Sequence, residues 1–266
     1  MASPVSQLID LARASRVFDL SQPFYVGMPH FPTHPPFAYS LGKLHGEFVL
    51  KNGGSSASEV ITMGGHSGTH IDALNHFSCA GKLFGGVDYE QAAGTGVRPH
   101  SVDTVPPVVR RGVLVDVAGS QGVPILSEEF VIGPEHLEKA ARTAIREGDV
   151  VLIRTGWAAH WGDSFQYVTA GNGIHVTAPG PGEAAARWLS ERKVFAAGSD
   201  TLAFEKVPSP LMPVHVHLLV ESGIHILENL NLDEMAAAGV SEFLFIAAPL
   251  RIEGGTGSPV RPLALV

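Results

Sequence analysis

Short and uninterrupted apolar runs occur in the middle of the chain, at Val113–Val117 and at Val150–Ile153. Runs of this kind are typical of strands that are covered on both faces of a sheet. The segment Pro134–Glu147 between them has proline at a plausible first helical position and is followed by Gly148. Because proline favours the first turn of a helix and glycine the position after its end, this segment is predicted to be helical. The pattern predicts a strand, a helix and a strand in succession.

A second unit of the same kind follows toward the C-terminus. The turn-forming sequence Pro179–Gly182 precedes a predicted helix at Glu183–Arg192, and predicted strands follow at Val194–Gly198 and Phe243–Ile246. Strands that alternate with helices favour an α/β fold in which helices flank a central sheet. Because the sequence shows no internal repeat or linker, residues 1–266 are predicted to form a single domain.

The N-terminal part of the chain has a less regular pattern. Leu8–Ala14 is predicted to be a short helix and Val17–Leu20 a strand, whereas the proline-rich segment Ser21–Pro36 is predicted to be a loop. Ser58–Met63 is rich in β-branched and apolar residues, which predicts a further strand. This strand leads directly into the segment with the densest cluster of polar donors, and it is predicted to deliver them.

The composition narrows the class of partner. Hydrophobic residues make up 45% of the 266 residues, which is ample for a buried core. The formal net charge of −8 argues against nucleic acid or an anionic membrane surface as the main partner. No apolar segment reaches the roughly 18 residues that a membrane span requires. Because Met1–Leu20 also lacks the pattern of a secretory signal, a cytoplasmic protein that acts on small molecules is predicted.

Cys79 is the single cysteine, so neither an intramolecular disulfide nor a thiolate cluster for zinc can form. Its neighbours Phe77, Ser78 and Ala80 favour a small packed side chain over a nucleophile. The candidate chemistry therefore depends on the histidines and the carboxylates.

The segment Gly65–His76 contains three histidines, His66, His70 and His76, and one carboxylate, Asp72. On one helix, His66 and His70 would share a face, but Asp72 would point away and the glycines would weaken the helix. In an extended segment the even-numbered residues lie on one side, so His66, His70 and Asp72 can face a common ion. An extended metal-binding segment is therefore predicted.

The donor types indicate which ion such a segment would hold. Imidazole and carboxylate form a borderline-to-hard set that suits zinc, manganese or iron(II). Gly68, between the first two histidines, leaves room for the ion. The alternative is a histidine-rich loop without a metal, but the joint spacing favours a functional metal site.

The sequence His66-Ser-Gly-Thr-His70-Ile-Asp72, with His76 after it, resembles the His-x-Gly-Thr-His-x-Asp-x-Pro-x-His signature of the cyclase family. This family of metal-dependent hydrolases includes bacterial kynurenine formamidases and isatin hydrolases. Leu74 stands where many members have proline. The resemblance implies a fold of the cyclase-like swivelling β/α/β type, with a mostly β core flanked by helices, and a homodimer or homotetramer.

The resemblance continues in a late segment of the family, where a histidine ahead of a Leu-Leu pair and a later glutamate bind a metal or order its water. Alignment on Leu218-Leu219 points to His215 and Glu228, with His217 as the alternate histidine. Glu228 follows an apolar stretch, in which an unpaired charge would be costly to bury. A partnered carboxylate is therefore favoured over a solvated one.

Other stretches suggest residues that contact the substrate. In the family, the N-terminal loop contributes to the substrate pocket, which makes Phe31 a candidate substrate-binding residue and Phe24 and Phe37 candidate wall residues, although ordinary packing is the favoured role for any one of them. Trp157 follows a predicted strand, where loop residues line α/β sites, and could stack on an aromatic substrate; the alternative is that Trp157 and Trp161 only pack. The glycine-rich segment Gly254–Arg261 could bind an anion or have a structural role.

These residues together predict the chemistry. A divalent ion held by His66, His70 and Asp72 would activate water and polarise a carbonyl oxygen. With His215 and Glu228 as further ligands, the resemblance implies one or two ions of manganese or zinc.

His76 is predicted to shuttle protons, because imidazole titrates near neutral pH, and Glu228 is predicted to share in catalysis. The resemblance implies hydrolysis of a C–N bond in an aryl formamide, a lactam or a cyclic imide. A lyase or cyclase reaction that uses the same metal is the alternative among enzymes. A metal-binding or storage protein with a closed ligand shell is the alternative without catalysis.

Overall fold

The computed structural model describes residues 3–266. Its strands are β1 (Val17–Asp19), β2 (Ala38–Lys43), β3 (Ser58–Thr62), β4 (His70–Asp72), β5 (Gln91–Ala92), β6 (Gly96–Val97), β7 (Val108–Asp116), β8 (Val131–Ile132), β9 (Val150–Arg154), β10 (Gly180–Pro181), β11 (Ala196–Ser199), β12 (His225–Glu228), β13 (Glu242–Ala247), β14 (Gly257–Pro259) and β15 (Leu263–Leu265). Its α-helices are α1 (Pro4–Ala14), α2 (Val117–Ser120), α3 (Pro134–Ala140), α4 (Ser164–Thr169), α5 (Glu183–Glu191), α6 (Pro213–His215) and α7 (Asp233–Ala237). A π-helical segment, Val216–Ser222, continues from α6.

One large mixed sheet organises the fold, with the strand order β1-β15-β13-β7-β9-β11-β12-β4-β14. Its central strands β7, β9, β11 and β12 are parallel, and the strands outside them pair antiparallel. Parallel neighbours require long crossover connections, which here contain α3 and α5. The predicted α/β fold with a central sheet flanked by helices is confirmed.

The apolar runs are continuous because the central strands are buried on both faces. Val113 and Val151 belong to a core cluster that also contains residues of α3 and α5, whereas Leu114 and Leu152 belong to a second cluster that contains Met235 of α7. Successive side chains of a strand point to opposite faces, so neighbours in sequence enter different clusters. The predicted strands near 113, 150, 194 and 243 are all present, within a few residues of their predicted ends.

Some predicted boundaries differ from the structure. The strand β7 begins at Val108, earlier than the predicted Val113, and ends at Asp116, whose carboxylate accepts a hydrogen bond from the Gly119 amide and caps α2. The helix predicted for 134–147 ends at Ala140, and the segment after it is irregular. Arg111 of β7 donates to the Ala144 carbonyl, which ties that irregular segment to the sheet.

The strand predicted at 58–63 is present as β3, but it does not belong to the large sheet. It pairs only with β2, as an antiparallel two-stranded ribbon whose side chains are largely exposed. The prediction that this strand delivers the donor residues is wrong, because His70 and Asp72 lie on β4 in the large sheet. The predicted N-terminal helix, the strand after it and the proline-rich loop are confirmed.

Among the described residues 3–266, no helix has the length and apolar character needed to cross a membrane.

Candidate metal centre

The centre of the site is the pairing of β4 with β12. In their antiparallel register His70 lies opposite Glu228, and Asp72 lies opposite Ile226. The His70 Nε2 atom is 3.4 Å from Glu228 Oε2 and 3.4 Å from Asp72 Oδ1. All three side chains are buried. The register of two strands therefore places an imidazole between two carboxylates.

His66 reaches the same place from a turn. The prediction of one extended segment from 66 to 72 is wrong, because Gly68 has a φ of +64° and the strand begins only at His70. Glycine is needed at position 68 because its φ is positive and because the Phe24 ring occupies the place that a Cβ atom would take. The turn folds back and brings His66 Nδ1 to 2.7 Å from Asp72 Oδ1.

The C-terminal glycine-rich segment supports His66. Thr256 Oγ1 lies 2.9 Å from His66 Nε2, and the imidazole ring packs where a side chain of Gly257 would be. Gly257 belongs to β14, which pairs with the other edge of β4. This segment thus has a structural role at the site, whereas Arg261 forms an exposed ion pair with Asp19.

His76 follows β4 after a tight turn in which the His76 amide donates to the Ala73 carbonyl. Leu74 occupies the position of the family proline and packs against the core, so the turn forms without proline. The His76 ring stacks on His66, with ring centroids 3.9 Å apart. His76 therefore lies beside the carboxylate-bound histidines.

The structure separates the two histidine candidates of the late segment. His215 is buried, with Nε2 at 3.3 Å from Glu228 Oε1 and Nδ1 at 2.8 Å from Glu205 Oε2. His217 instead contacts Ser190 through Nε2 and Glu221 through Nδ1. Of the two histidines, the fold brings His215 to the site. Glu228 is a partnered carboxylate, and its Oε1 also accepts a hydrogen bond from the Phe204 amide.

The donor set fits a divalent cation. Among the described residues, His70 Nε2 and Asp72 Oδ2 are buried atoms without a hydrogen-bond partner. Two groups of donors lie within ligand distance of one another, His66 with Asp72 and His76, and His70 with Asp72 and Glu228. Asp72 belongs to both groups. A positive ion would satisfy the bare nitrogen and oxygen, which otherwise cost free energy in a buried place.

Burial and neighbouring charges set the protonation states. Burial lowers the pKa of His76 to about 3, and the histidines around it add to the effect, against the pull of Asp72. Burial alone would lower the pKa of His215, but its hydrogen bonds to Glu205 and Glu228 outweigh this effect and raise the pKa to about 10. Burial alone would raise the pKa of Asp72, but the nearby histidines hold it well below its usual value. His76 is therefore a neutral imidazole at pH 7.

A cavity of about 340 Å³ opens beside these donors. His66, His76, His215 and Glu228 form part of its wall, and Phe31 lies on the wall as well. The other wall residues are Thr33, His34, Phe77, Leu202, Ala203, Ser209 and Met212. The space therefore combines the polar donors with an apolar and aromatic surface.

Other candidate residues lie elsewhere. Trp157 is 2% exposed, and its Nε1 donates to the Tyr167 carbonyl, so it packs in a core cluster and does not line the cavity. Phe24 and Phe37 pack on each other behind Gly68. Cys79 is exposed, contrary to the expectation that it packs in the interior.

Sequence reasoning missed several residues that contact the site. They are His34, Glu205, Asn229 and Thr256. The ring of His34 lies 5.4 Å from the ring of His66. Glu205 and Asn229 are almost fully buried, yet each stands far in sequence from the metal motif. The available signal was a carboxylate, Glu205, next to the apolar run Leu202–Phe204, the same argument that identified Glu228.

Comparison with known proteins adds an independent finding. The profile of the family described as "Putative cyclase" matches residues 18–206. An isatin hydrolase of Roseibium aggregatum is 30% identical over 213 residues, which cover 77% of this chain and 73% of that protein. A kynurenine formamidase of Bacillus thuringiensis (strain Al Hakam) is 27% identical over 252 residues, which cover 94% of this chain and 97% of that protein. The crystal structure of a protein described as a novel cyclase superposes with a TM-score of 0.85 at 28% identity, over 99% of this chain and 91% of that chain.

We predict that His76 makes the metal-free protein less stable as the pH falls. Its pKa is about 3 in the folded chain against 6.5 for an ordinary histidine. Between these values the unfolded chain binds a proton that folded His76 does not, so the free energy of unfolding falls as the pH is lowered. The contribution approaches about 1.4 kcal/mol per pH unit.

Urea denaturation of chelator-treated protein at several pH values from 4 to 6.5 measures this slope. In the His76→Gln variant, the free energy of unfolding should change with pH by about 1.4 kcal/mol per pH unit less, because one proton-binding group is removed. Equal slopes in the two proteins would contradict the prediction. His215 adds no slope well below its unfolded pKa, because it is protonated in both states there.

Proposed function

The chain belongs to this cyclase family, as its metal motif predicted, and we propose that it hydrolyses a C–N bond of an aryl formamide, a lactam or a cyclic imide with a divalent metal ion. The observation that supports this most directly is the convergence of buried imidazoles and carboxylates on Asp72, with one bare nitrogen and one bare oxygen among them. The relatives named isatin hydrolase and kynurenine formamidase supply the substrate class.

We propose His66, His70, Asp72, His215 and Glu228 as the metal-holding residues. Asp72 belongs to both donor groups, so it would help to hold each ion if two were bound. Nitrogen and oxygen donors without thiolate suit manganese or zinc. A divalent ion in such a set supplies Lewis acidity, which activates water and polarises a carbonyl.

We propose His76 as the general base and acid for this reaction. Its buried ring is neutral at pH 7 and has a free nitrogen lone pair that can accept a proton, although its pKa of about 3 makes it a weaker base than the imidazole titrating near neutral pH that the sequence predicted. Hydrolysis adds the water oxygen to the carbonyl carbon and breaks the C–N bond. The proton taken from water is then returned to the departing nitrogen. His76 lines the cavity, so its ring would face a substrate bound there.

Glu228 has a second task beside metal binding. Its Oε1 accepts the Phe204 amide and faces His215, while its Oε2 faces His70. The carboxylate is thereby held in one orientation at the cavity wall. A fixed carboxylate can orient the attacking water by accepting a hydrogen bond from it.

The cavity wall supports an aromatic or cyclic substrate. Phe31 and Phe77 present rings to the space, and Leu202 and Met212 add apolar surface. A cavity of about 340 Å³ is of a size typical for small-molecule sites. We propose Phe31 as a substrate-binding residue. For Trp157 we propose a packing role instead, because it lies in the core cluster away from the wall.

We predict that protein purified without added metal contains manganese or zinc and hydrolyses isatin or N-formylkynurenine. Chelation should abolish turnover, and return of the ion should restore it, because the ion supplies the Lewis acid. Elemental analysis and mass spectrometry of the product measure the two parts. A product heavier by one water indicates hydrolysis, whereas loss of water or an unchanged mass would favour the lyase or cyclase alternative. Protein that neither contains nor responds to either ion would overturn the proposal.

We predict that His76→Ala retains metal but loses turnover by about 10²- to 10⁴-fold, which is the usual contribution of a general acid or base. His70→Ala should instead lose metal, since His70 Nε2 is one of the bare buried donors. His217→Ala is the matched control, because that histidine contacts Ser190 and Glu221 outside the site. Metal content and kcat are measured on all three. Loss of metal in His76→Ala would make His76 a ligand.

We also propose a homodimer or homotetramer that buries the β2–β3 ribbon. Tyr39, Leu41, Val60 and Ile61 on this ribbon are between 47% and 57% exposed. An isolated two-stranded ribbon is marginally stable in water, so a covering partner would stabilise it. Light scattering should give a mass of two or four chains, and Ile61→Arg should lower it. Leu211→Arg, at an exposed leucine outside the ribbon, is the control. A single-chain mass for the unmodified protein would refute the oligomer.

A cytoplasmic location is a further proposal, consistent with an enzyme that acts on small molecules. Its test is fractionation of the source cells, and recovery of the protein in an extracytoplasmic fraction would overturn it.

A further inference from the structure

Asn229 is a buried residue that makes hydrogen bonds to Gly68 and Thr69, in the turn between His66 and His70. It follows Glu228 directly, is 1% exposed and has a φ of +55°. Its Nδ2 atom donates to the Gly68 carbonyl at 3.1 Å, and its Oδ1 atom accepts from the Tyr167 hydroxyl at 2.9 Å. Its backbone carbonyl accepts from Thr69 Oγ1 at 2.6 Å.

The Gly68 carbonyl links Asn229 to His70. The same oxygen that accepts from Asn229 also lies 2.8 Å from His70 Nδ1. A carbonyl oxygen can only accept hydrogen bonds, so the proton of a neutral His70 is on Nδ1. The other nitrogen, Nε2, is then the lone-pair nitrogen, and it is the atom that faces Asp72 and Glu228.

We propose that Asn229 is a positioning residue that holds the Gly68 carbonyl in place and thereby fixes both the tautomer and the orientation of His70. The inference rests on the proposed function in one respect, namely that His70 binds the metal. Asn229 itself touches neither the proposed ion nor the cavity. It acts through the Gly68 carbonyl, which accepts the hydrogen bond of His70 Nδ1.

The chemistry of this position favours asparagine over related residues. Asparagine tolerates a left-handed backbone, which Asn229 adopts. Its amide can donate on one side and accept on the other, as the positions of Gly68 and Tyr167 require. Aspartate has the same shape but would place an oxygen against the Gly68 oxygen, and two acceptors repel.

Tyr167 sets the direction of the amide. Its hydroxyl lies within hydrogen-bond distance of Asn229 Oδ1 and of the Asp200 carbonyl, and both can only accept. The Tyr167 hydroxyl proton is therefore shared between these oxygens, which leaves Nδ2 of Asn229 facing Gly68. Because Tyr167 is fully buried, this arrangement is sheltered from water.

The first test measures the His70 tautomer without any metal. Burial alone would lower the pKa of His70, but Asp72 and Glu228 raise it. ¹⁵N-labelled histidine spectra of the chelator-treated protein, recorded at a pH at which the His70 ring is neutral, should therefore show its proton on Nδ1. In Asn229→Asp and Asn229→Gly, this signature should shift toward a mixture of tautomers. Glycine keeps the left-handed backbone and removes only the side chain, while aspartate keeps the shape and reverses the hydrogen bond. A purely structural role in packing would leave the tautomer unchanged.

The second test measures affinity for manganese and zinc by competition with a chromophoric chelator. Both variants should bind about 10- to 100-fold more weakly, the usual cost of disturbing a residue that orients a metal ligand. Asn231→Asp makes the same chemical change two residues away, at a half-buried asparagine, and should match the unmodified protein. Thermal unfolding of each variant confirms that it is folded.

The outcomes separate this inference from the proposed function. If Asn229→Asp and Asn229→Gly fold with unchanged tautomer and unchanged affinity, the positioning role is refuted. If the unmodified protein binds neither ion, the proposed function fails, and the tautomer spectra still decide whether Asn229 fixes His70.

Discussion

The antiparallel register between β4 and β12 is the constraint on which the site depends. It places His70 opposite Glu228 and leaves Asp72 on the same strand two residues away. A shift of one residue would turn these side chains to the other face of the sheet, where Ile71 now packs in an apolar cluster. The alternation of polar and apolar residues in β4 thus ties the candidate metal donors to the hydrophobic core. The geometry of the candidate site and the stability of the sheet depend on the same pairing.

The buried carboxylates near the pairing of β4 with β12 explain which groups surround it. Asp72, Glu205 and Glu228 are each less than 7% exposed, and a buried carboxylate without partners would be strongly destabilising. Each is paired with histidines or amides, and the remaining bare atoms suit a cation. The turn at Gly68 and the small residue at Gly257 allow the imidazoles to approach closely enough. A single requirement, compensation of buried negative charge, accounts for these local features.

Differences between expectation and structure have a common cause. The helix at 134 is shorter than its local pattern predicts because Arg111, distant in sequence, binds the segment after it. The segment from 66 to 72 is a turn followed by a strand because Phe24 and β14 pack against it. Local pattern identified the helix at 134 and the extended part at 70–72 correctly in kind, whereas contacts with remote residues decided where each begins or ends and placed a turn before His70.

The sequence by itself determined the α/β class and the buried central strands, and it indicated His66, His70 and Asp72 as candidate metal donors, because hydrophobic period and ligand spacing are local properties. It also indicated Glu228, through the cost of a charge beside an apolar run. Only the tertiary structure decided between His215 and His217. It also showed that Trp157 packs in the core and that Glu205 and Asn229 lie next to the segments that carry the histidines. These choices depend on strand order, register and the direction of side chains across the sheet. They join residues far apart in the chain, and no local pattern contains that information.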